Sequence, residues 1–247
     1  MAAMSHWPLR QLGETDIPVG ACAWHIGLLA EEHTADHVHA RPSLVVALPK
    51  DDDALLQAAA PRLGALPVML VVAEPTFARR LADNIRSRMA SLGVSHVAAL
   101  ALAVEDPADL KSGGMLQVLF DLRQAGVCDH LGLAQADARH AEWIARHTAV
   151  RLLLTEYSLH NQQTAWRTLA AAEEFGMACI ALSPPPQDDE RALRFALGSH
   201  ERVLPLLDRP LPEGVEPMLP AELTACWEAY QRDHKEPAPL LRSQPPE

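Results

Sequence analysis

Three features of the chain point to an α/β protein built as a single (β/α)8 TIM barrel. First, residues 116–185 read three times as strand, polar turn and helix. The apolar strands His130-Leu131-Gly132-Leu133-Ala134, Arg151-Leu152-Leu153-Leu154-Thr155-Glu156-Tyr157 and Ala178-Cys179-Ile180-Ala181-Leu182-Ser183 alternate with helices over 137–147 and 161–175. Short apolar strands separated by helices of this length are parallel strands joined by helical crossovers. Second, the same spacing extends over the rest of the chain, with strand starts near 20, 43, 68, 96, 130, 151, 178 and 202. Eight units of roughly 26 residues close most economically as a barrel. Third, the 247 residues match the length such a barrel needs and allow one sizeable core.

The elements follow in order. Residues 9–13 and 17–19 flank the polar turn Glu14-Thr15-Asp16 and form an N-terminal hairpin. Pro18 weakens it, having no donor. The first barrel strand is expected over 20–24. Residues 28–40 make a poor helix, and 43–48 the second strand. The cluster Asp51-Asp52-Asp53 can cap a helix over 54–63, stopped by Gly64. The third strand, 68–73, is apolar throughout, as a strand covered on both faces should be. Thr76 can cap a helix over 77–92, whose Arg79, Arg80, Arg86 and Arg88 are read as its solvated face. The fourth strand spans 96–102. A helix from Asp106-Pro107 to Ala125 is interrupted by Gly113-Gly114. After the three central units come a stiff loop at Pro184-Pro185-Pro186, a helix over 190–197, a last strand over 202–207 and a final helix over 221–234. The domain is expected to span 1–234, with 235–247 a frayed, proline-rich tail.

Composition narrows the function. The chain is 49% hydrophobic and 21% charged, an ordinary globular balance, and aromatics at 4% leave the core to Leu, Ala and Val. A net charge of −11 argues against nucleic-acid or acidic-membrane binding, because phosphates would be repelled. Cys22, Cys128, Cys179 and Cys226 are far apart, form no CxxC and read as buried free thiols of a reducing compartment. With no signal-like N-terminus and no apolar run of about 18 residues, a cytoplasmic location is expected.

Several segments, in order, resemble the aldo-keto reductase family. Leu9-Arg10-Gln11-Leu12-Gly13-Glu14-Thr15 resembles its N-terminal hairpin, which in the family plugs the bottom of the barrel, so an N-terminal hairpin plug is implied here. Arg86-Ser87-Arg88-Met89-Ala90-Ser91-Leu92-Gly93-Val94 resembles its third-helix motif. The segment 122–132, then Leu154-Thr155-Glu156-Tyr157-Ser158-Leu159-His160-Asn161, then 175–184 resemble its fifth, sixth and seventh units. The resemblance covers nearly the whole chain and is densest over 119–184. It implies the same barrel and, in the family, hydride transfer from NADPH to a carbonyl. There a Tyr protonates the forming alkoxide, assisted by an Asp, a Lys and a His at neighbouring strand ends.

The departures shape the functional expectation. The family's Asp falls at about Val46, its Tyr near Lys50 or Asp51, its Lys at Val72 or Ala73 and its His at Ala103. No Tyr precedes Tyr157, and the third strand holds no Lys. The cofactor positions change as well. Ala134-Gln135 replaces a Ser-Asn pair, Leu154 a Gln and Leu182 a stacking aromatic. Residues 184–187 shorten the loop over the pyrophosphate, and the acidic 207–213 replaces a basic phosphate-binding element. Gln135 and Ser183 are the remaining weak cofactor candidates.

Other residues can be placed on the rim. His25, Glu74, Glu105, Gln135, Glu156 and His160 fall at or just beyond strand C-terminal ends, where barrel enzymes keep their sites. Of these, His25, Glu156 and His160 are the catalytic candidates, with Glu156 and His160 as the leading pair. His33 and His37 share a helix face near Asp36 and His39, but lack a third ligand at a metal-binding spacing, so a solvated helix is expected. The leading expectation is a barrel without catalysis or cofactor that binds a protein partner or small molecule at its C-terminal rim. One alternative is a divergent NADPH-dependent oxidoreductase, with Lys50, His25 or His160 as proton donor. A second is different rim chemistry through Glu156, His160 and a divalent metal.

Overall fold

The computed structural model describes residues 10–39, 43–73, 78–104, 114–134, 138–182, 185–186, 189–198, 203–212 and 214–233. The chain opens with a two-stranded antiparallel hairpin, β1 (Arg10–Gln11) and β2 (Pro18–Val19). Eight parallel strands follow: β3 (Ala23–His25), β4 (Val45–Ala47), β5 (Val68–Ala73), β6 (Val97–Ala103), β7 (Cys128–Ala134), β8 (Val150–Thr155), β9 (Ala178–Ala181) and β10 (Val203–Leu207). They pair in chain order, and β10 closes onto β3. The expected (β/α)8 barrel is therefore present.

The helices are α1 (Gly27–Ala30), α2 (Glu32–His39), α3 (Asp53–Ala59), α4 (Leu81–Ser91), α5 (Met115–Gln124), α6 (Ala138–His147), α7 (Gln163–Glu174), α8 (Glu190–Gly198) and α9 (Pro220–Asp233). Asp52 is the cap of α3, its side chain accepting from the Leu55 amide at 2.8 Å. Gly64, Gly93, Gly126 and Gly176 take the left-handed conformation just beyond helices, the role read for three of them as stops. The helix expected over 28–40 is two helices, α1 and α2, broken at extended Glu31. The first barrel strand lies later than expected, so His25 ends it rather than following it. Thr76 and the start of the 106–125 helix lie outside the described residues, as does the tail.

Alternation along the strands sorts the core into two layers. Ala23, Val46, Met69, Val71, Ala101, Leu152, Leu154, Ile180 and Leu206 belong to the barrel interior. Trp24, Val45, Leu70, Val72, Leu100, Leu153 and Leu207 belong to the layer between strands and helices. Leu12, Ile17 and Val19 of the hairpin join the inner layer, so the hairpin plugs the N-terminal end of the barrel. The Leu12 amide donates to Ile17 O at 3.1 Å, and Thr15 Oγ1 donates to Leu12 O at 2.6 Å. The Glu14 amide reaches Gly176 O at 3.1 Å, and a Cβ at Gly176 would collide with the Glu14 carboxylate. His130 pairs with Asp16 at 2.7 Å, which lowers the Asp16 carboxyl below its ordinary value. All four cysteines are buried free thiols, and burial pushes Cys128 and Cys179 up to about 11 and about 12.

Candidate functional site

At the C-terminal ends of the strands most of the described inward-facing residues are apolar. Val46 is fully buried in the inner layer, and Ala134 and Leu154 join it there. Leu48, Ala103 and Leu182 pack on it while partly exposed. Val72 faces the helices instead, so of the two residues aligned with the family's Lys only Ala73 has the inward strand parity. Alternation in a parallel barrel thus brings hydrocarbon to every described position aligned with the family's Asp, Lys and His.

Beside this floor stands one buried polar constellation. His25 ends β3, and its Nε2 lies 3.0 Å from Asp51 Oδ1 on the loop between β4 and α3. The side chains are 16% and 3% exposed. The Gly27 amide donates to His25 Nδ1 at 3.2 Å. A backbone N–H can only donate, so the neutral ring must carry its proton on Nε2 and donate it to Asp51. Asp51 Oδ2 accepts from the Leu48 amide at 2.6 Å. Arg88 of α4 closes the loop from outside, its Nη1 donating to Asp51 O at 2.8 Å and its Nη2 to Leu48 O at 2.7 Å. Burial pulls the Arg88 guanidinium below its ordinary value, opposed by the charges of Asp51 and Asp53.

This corrects the reading of Arg88 as part of a solvated face: Arg79, Arg80 and Arg86 are exposed, while Arg88 is half-buried and holds a loop. A sequence signal was present. Leu81, Ile85, Arg88 and Leu92 follow the spacing of a buried helical stripe. Asp51, read as one of three capping residues, is instead the buried partner of His25, and Asp52 alone caps α3. Outside the constellation a cleft of about 480 Å³ is lined by Lys50, Asp52, Asp53, Ala73, Asn84, Ser87 and Arg88, among others.

The leading pair from the sequence is not brought together. Glu156 is exposed and meets Asn161 Nδ2 at 3.5 Å. His160 is exposed and turns to Asp189 Oδ2 at 3.3 Å. Asp189 also accepts from the Ala192 amide at 2.8 Å, so it caps α8; this bond, with His160 adding to it, lowers its carboxyl below the ordinary value. Glu74, Glu105, Gln135 and Ser183 lie outside the described residues. The α2 histidines diverge: His33 pairs with Glu31 at 3.3 Å, and His39 Nε2 meets Arg62 O at 2.7 Å. The side chain of His37 lies outside the described residues. Among the described residues no three metal-binding side chains gather.

No protein-family model and no curated protein matches the chain. Solved structures do. An aldo-keto reductase from Bacillus halodurans in its holo form aligns with a TM-score of 0.73 at 13% identity, over 90% of this chain and 96% of that one. A glycerol dehydrogenase from Gluconobacter oxydans aligns at 0.70 and 14% identity, over 93% and 97%. An aldo/keto reductase from Klebsiella pneumoniae, solved in complex with NADP and acetate, aligns at 0.69 and 12% identity, over 86% and 92%. The fold is that of the aldo-keto reductases. At these identities the likeness speaks for the barrel architecture alone, and fold does not fix function.

Chemically, the His25 constellation is a clasp between β3, the β4–α3 loop and the start of α1. Both ring nitrogens and both Asp51 oxygens are engaged within the protein. Taking a proton from a substrate would break a bond already made.

Proposed function

We propose that this chain is an aldo-keto-reductase-fold barrel that binds a small molecule or a partner protein at its C-terminal rim without reducing carbonyls, in the cytoplasm. One observation carries the reading: Val46, Ala73 and Ala103, which align with the family's Asp, Lys and His, are apolar strand-end residues. In the family these three groups assist the acid that protonates the forming alkoxide, and hydrocarbon there can assist none. The charge of −11 favours a partner without phosphate-rich surfaces. No helix among the described residues is long and apolar enough to cross a membrane.

A second reading, a divergent NADPH-dependent oxidoreductase, draws on the likeness to a protein solved with NADP. It also draws on Lys50, exposed in the cleft beside Ala73 and able to donate a proton. Titration of the purified chain with NADPH, followed by fluorescence quenching, decides between them. No quenching is expected up to about 100 μM, where the free energy of binding would be only about 5.5 kcal/mol. Saturable micromolar binding together with turnover of a carbonyl panel, lost in Lys50→Met, would overturn the first reading in favour of the second.

A further inference from the structure

We propose that His25 and the Gly27 amide form a proton-operated latch at the barrel mouth, closed when the imidazole is neutral and opened when it is protonated. The latch stands whichever reading of the mouth holds.

The geometry allows one neutral form. Gly27 N–H points at Nδ1 from 3.2 Å, so that nitrogen must present its lone pair, while Nε2–H serves Asp51 at 3.0 Å. A proton added from solvent can settle only on Nδ1. It then faces the Gly27 hydrogen, two donors with no acceptor between them. The bond to Gly27 is lost. The contact with Asp51 becomes an ion pair and is strengthened, so the ring stays on the β4–α3 loop while the start of α1 is released. Glycine at 27 makes the close approach possible: a Cβ there would lie 3.0 Å from Nδ1.

Two charged groups stand close to the ring: Asp51, against Nε2, and Arg88, bound to the Asp51 backbone from α4. Lys50 stands exposed in the same loop. On the other side β10 pairs Leu207 with Trp24, which brings Asp208 next along the edge. β4 brings only Val45 and Val46 to the register, and α1 carries no charged residue. Acid therefore tightens one side of the ring's cage and loosens the other. Opening is confined to the turn between β3 and α1, which borders the mouth.

The test is nitrogen-15 NMR of the full chain between pH 8 and pH 5. The neutral ring is expected in the Nε2–H form. As His25 takes up its proton, exchange of the Gly27 amide, corrected for its intrinsic pH dependence, should accelerate at least tenfold. The neighbouring Ile26 amide, bonded to Val46 O at 2.9 Å, should hold its protection and serves as reference. In His25→Asn, which cannot titrate, the pH dependence of Gly27 should vanish. Should that variant fail to fold, the wild-type titration decides alone. An Nδ1–H neutral ring, or Gly27 protection unchanged through the His25 titration, would overturn the latch.

Discussion

Two histidine–aspartate pairs stand at the C-terminal rim, and they do different things. His25 and Asp51 lie 3.0 Å apart with side chains 16% and 3% exposed. His160 and Asp189 lie 3.3 Å apart with side chains 67% and 31% exposed. The first pair is locked by Leu48, Gly27 and Arg88 and joins two strands of the barrel. In the second, the energetically useful bond is the one from Ala192 to Asp189, and the histidine is an onlooker in water. Burial, not residue identity, separates a structural clasp from a surface contact, because solvent screens the exposed pair and competes for its bonds.

Substitutions can break or sharpen this contrast. The largest effect is expected for Asp51→Ala, which leaves the half-buried Leu48 amide and the Nε2 of His25 without their acceptor. It should cost about 3 kcal/mol in chemical denaturation. A cost no greater than that of Asp189→Ala would erase the distinction drawn here. Arg88→Met keeps the length of the side chain but removes two donors from the carbonyls of Leu48 and Asp51. A loss of about 2 kcal/mol is expected, whereas a face in solvent would lose almost nothing.

On the exposed side, Asp189→Ala removes a helix cap and should cost about 1 kcal/mol. The Asp189 carboxyl is lowered in the folded state, chiefly by the Ala192 amide. Its contribution is therefore present above the ordinary carboxylate range, near pH 4, and lost as pH falls through the lowered folded value. Asp189→Asn should retain most of the cap while removing that pH dependence, which acid titration of stability would reveal. His160→Ala should change stability by less than about 0.5 kcal/mol. A larger loss would mean that the outer pair, too, is a clasp.

The fold was legible because each strand is an apolar run bounded by polar turns, and Gly64, Gly93 and Gly176 mark three helix ends. β5 appears at its expected residues, 68–73, since a strand covered on both faces needs apolar residues at every position. The site was legible only in part. His25 could be placed on the rim from its position after an apolar run. Its partner could not, because Asp51, Asp52 and Asp53 look alike in sequence, and only the path of the loop turns the first inward. Arg88 hid among four arginines of one helix, although its spacing from Leu81 and Ile85 set it on the buried stripe. Glu156 and His160 have the i, i+4 spacing of helical neighbours, but they lie in a turn between β8 and α7, where that spacing brings nothing together.

Sequence by itself determined the eight-strand barrel and its N-terminal hairpin, since these follow from local hydrophobic patterning and turn chemistry. The tertiary structure alone decided which aspartate is buried, which arginine is drawn into the interior and which tautomer the rim histidine must hold. Those outcomes depend on groups 26 to 40 residues apart in the chain meeting where water is excluded, and no local pattern records such a meeting.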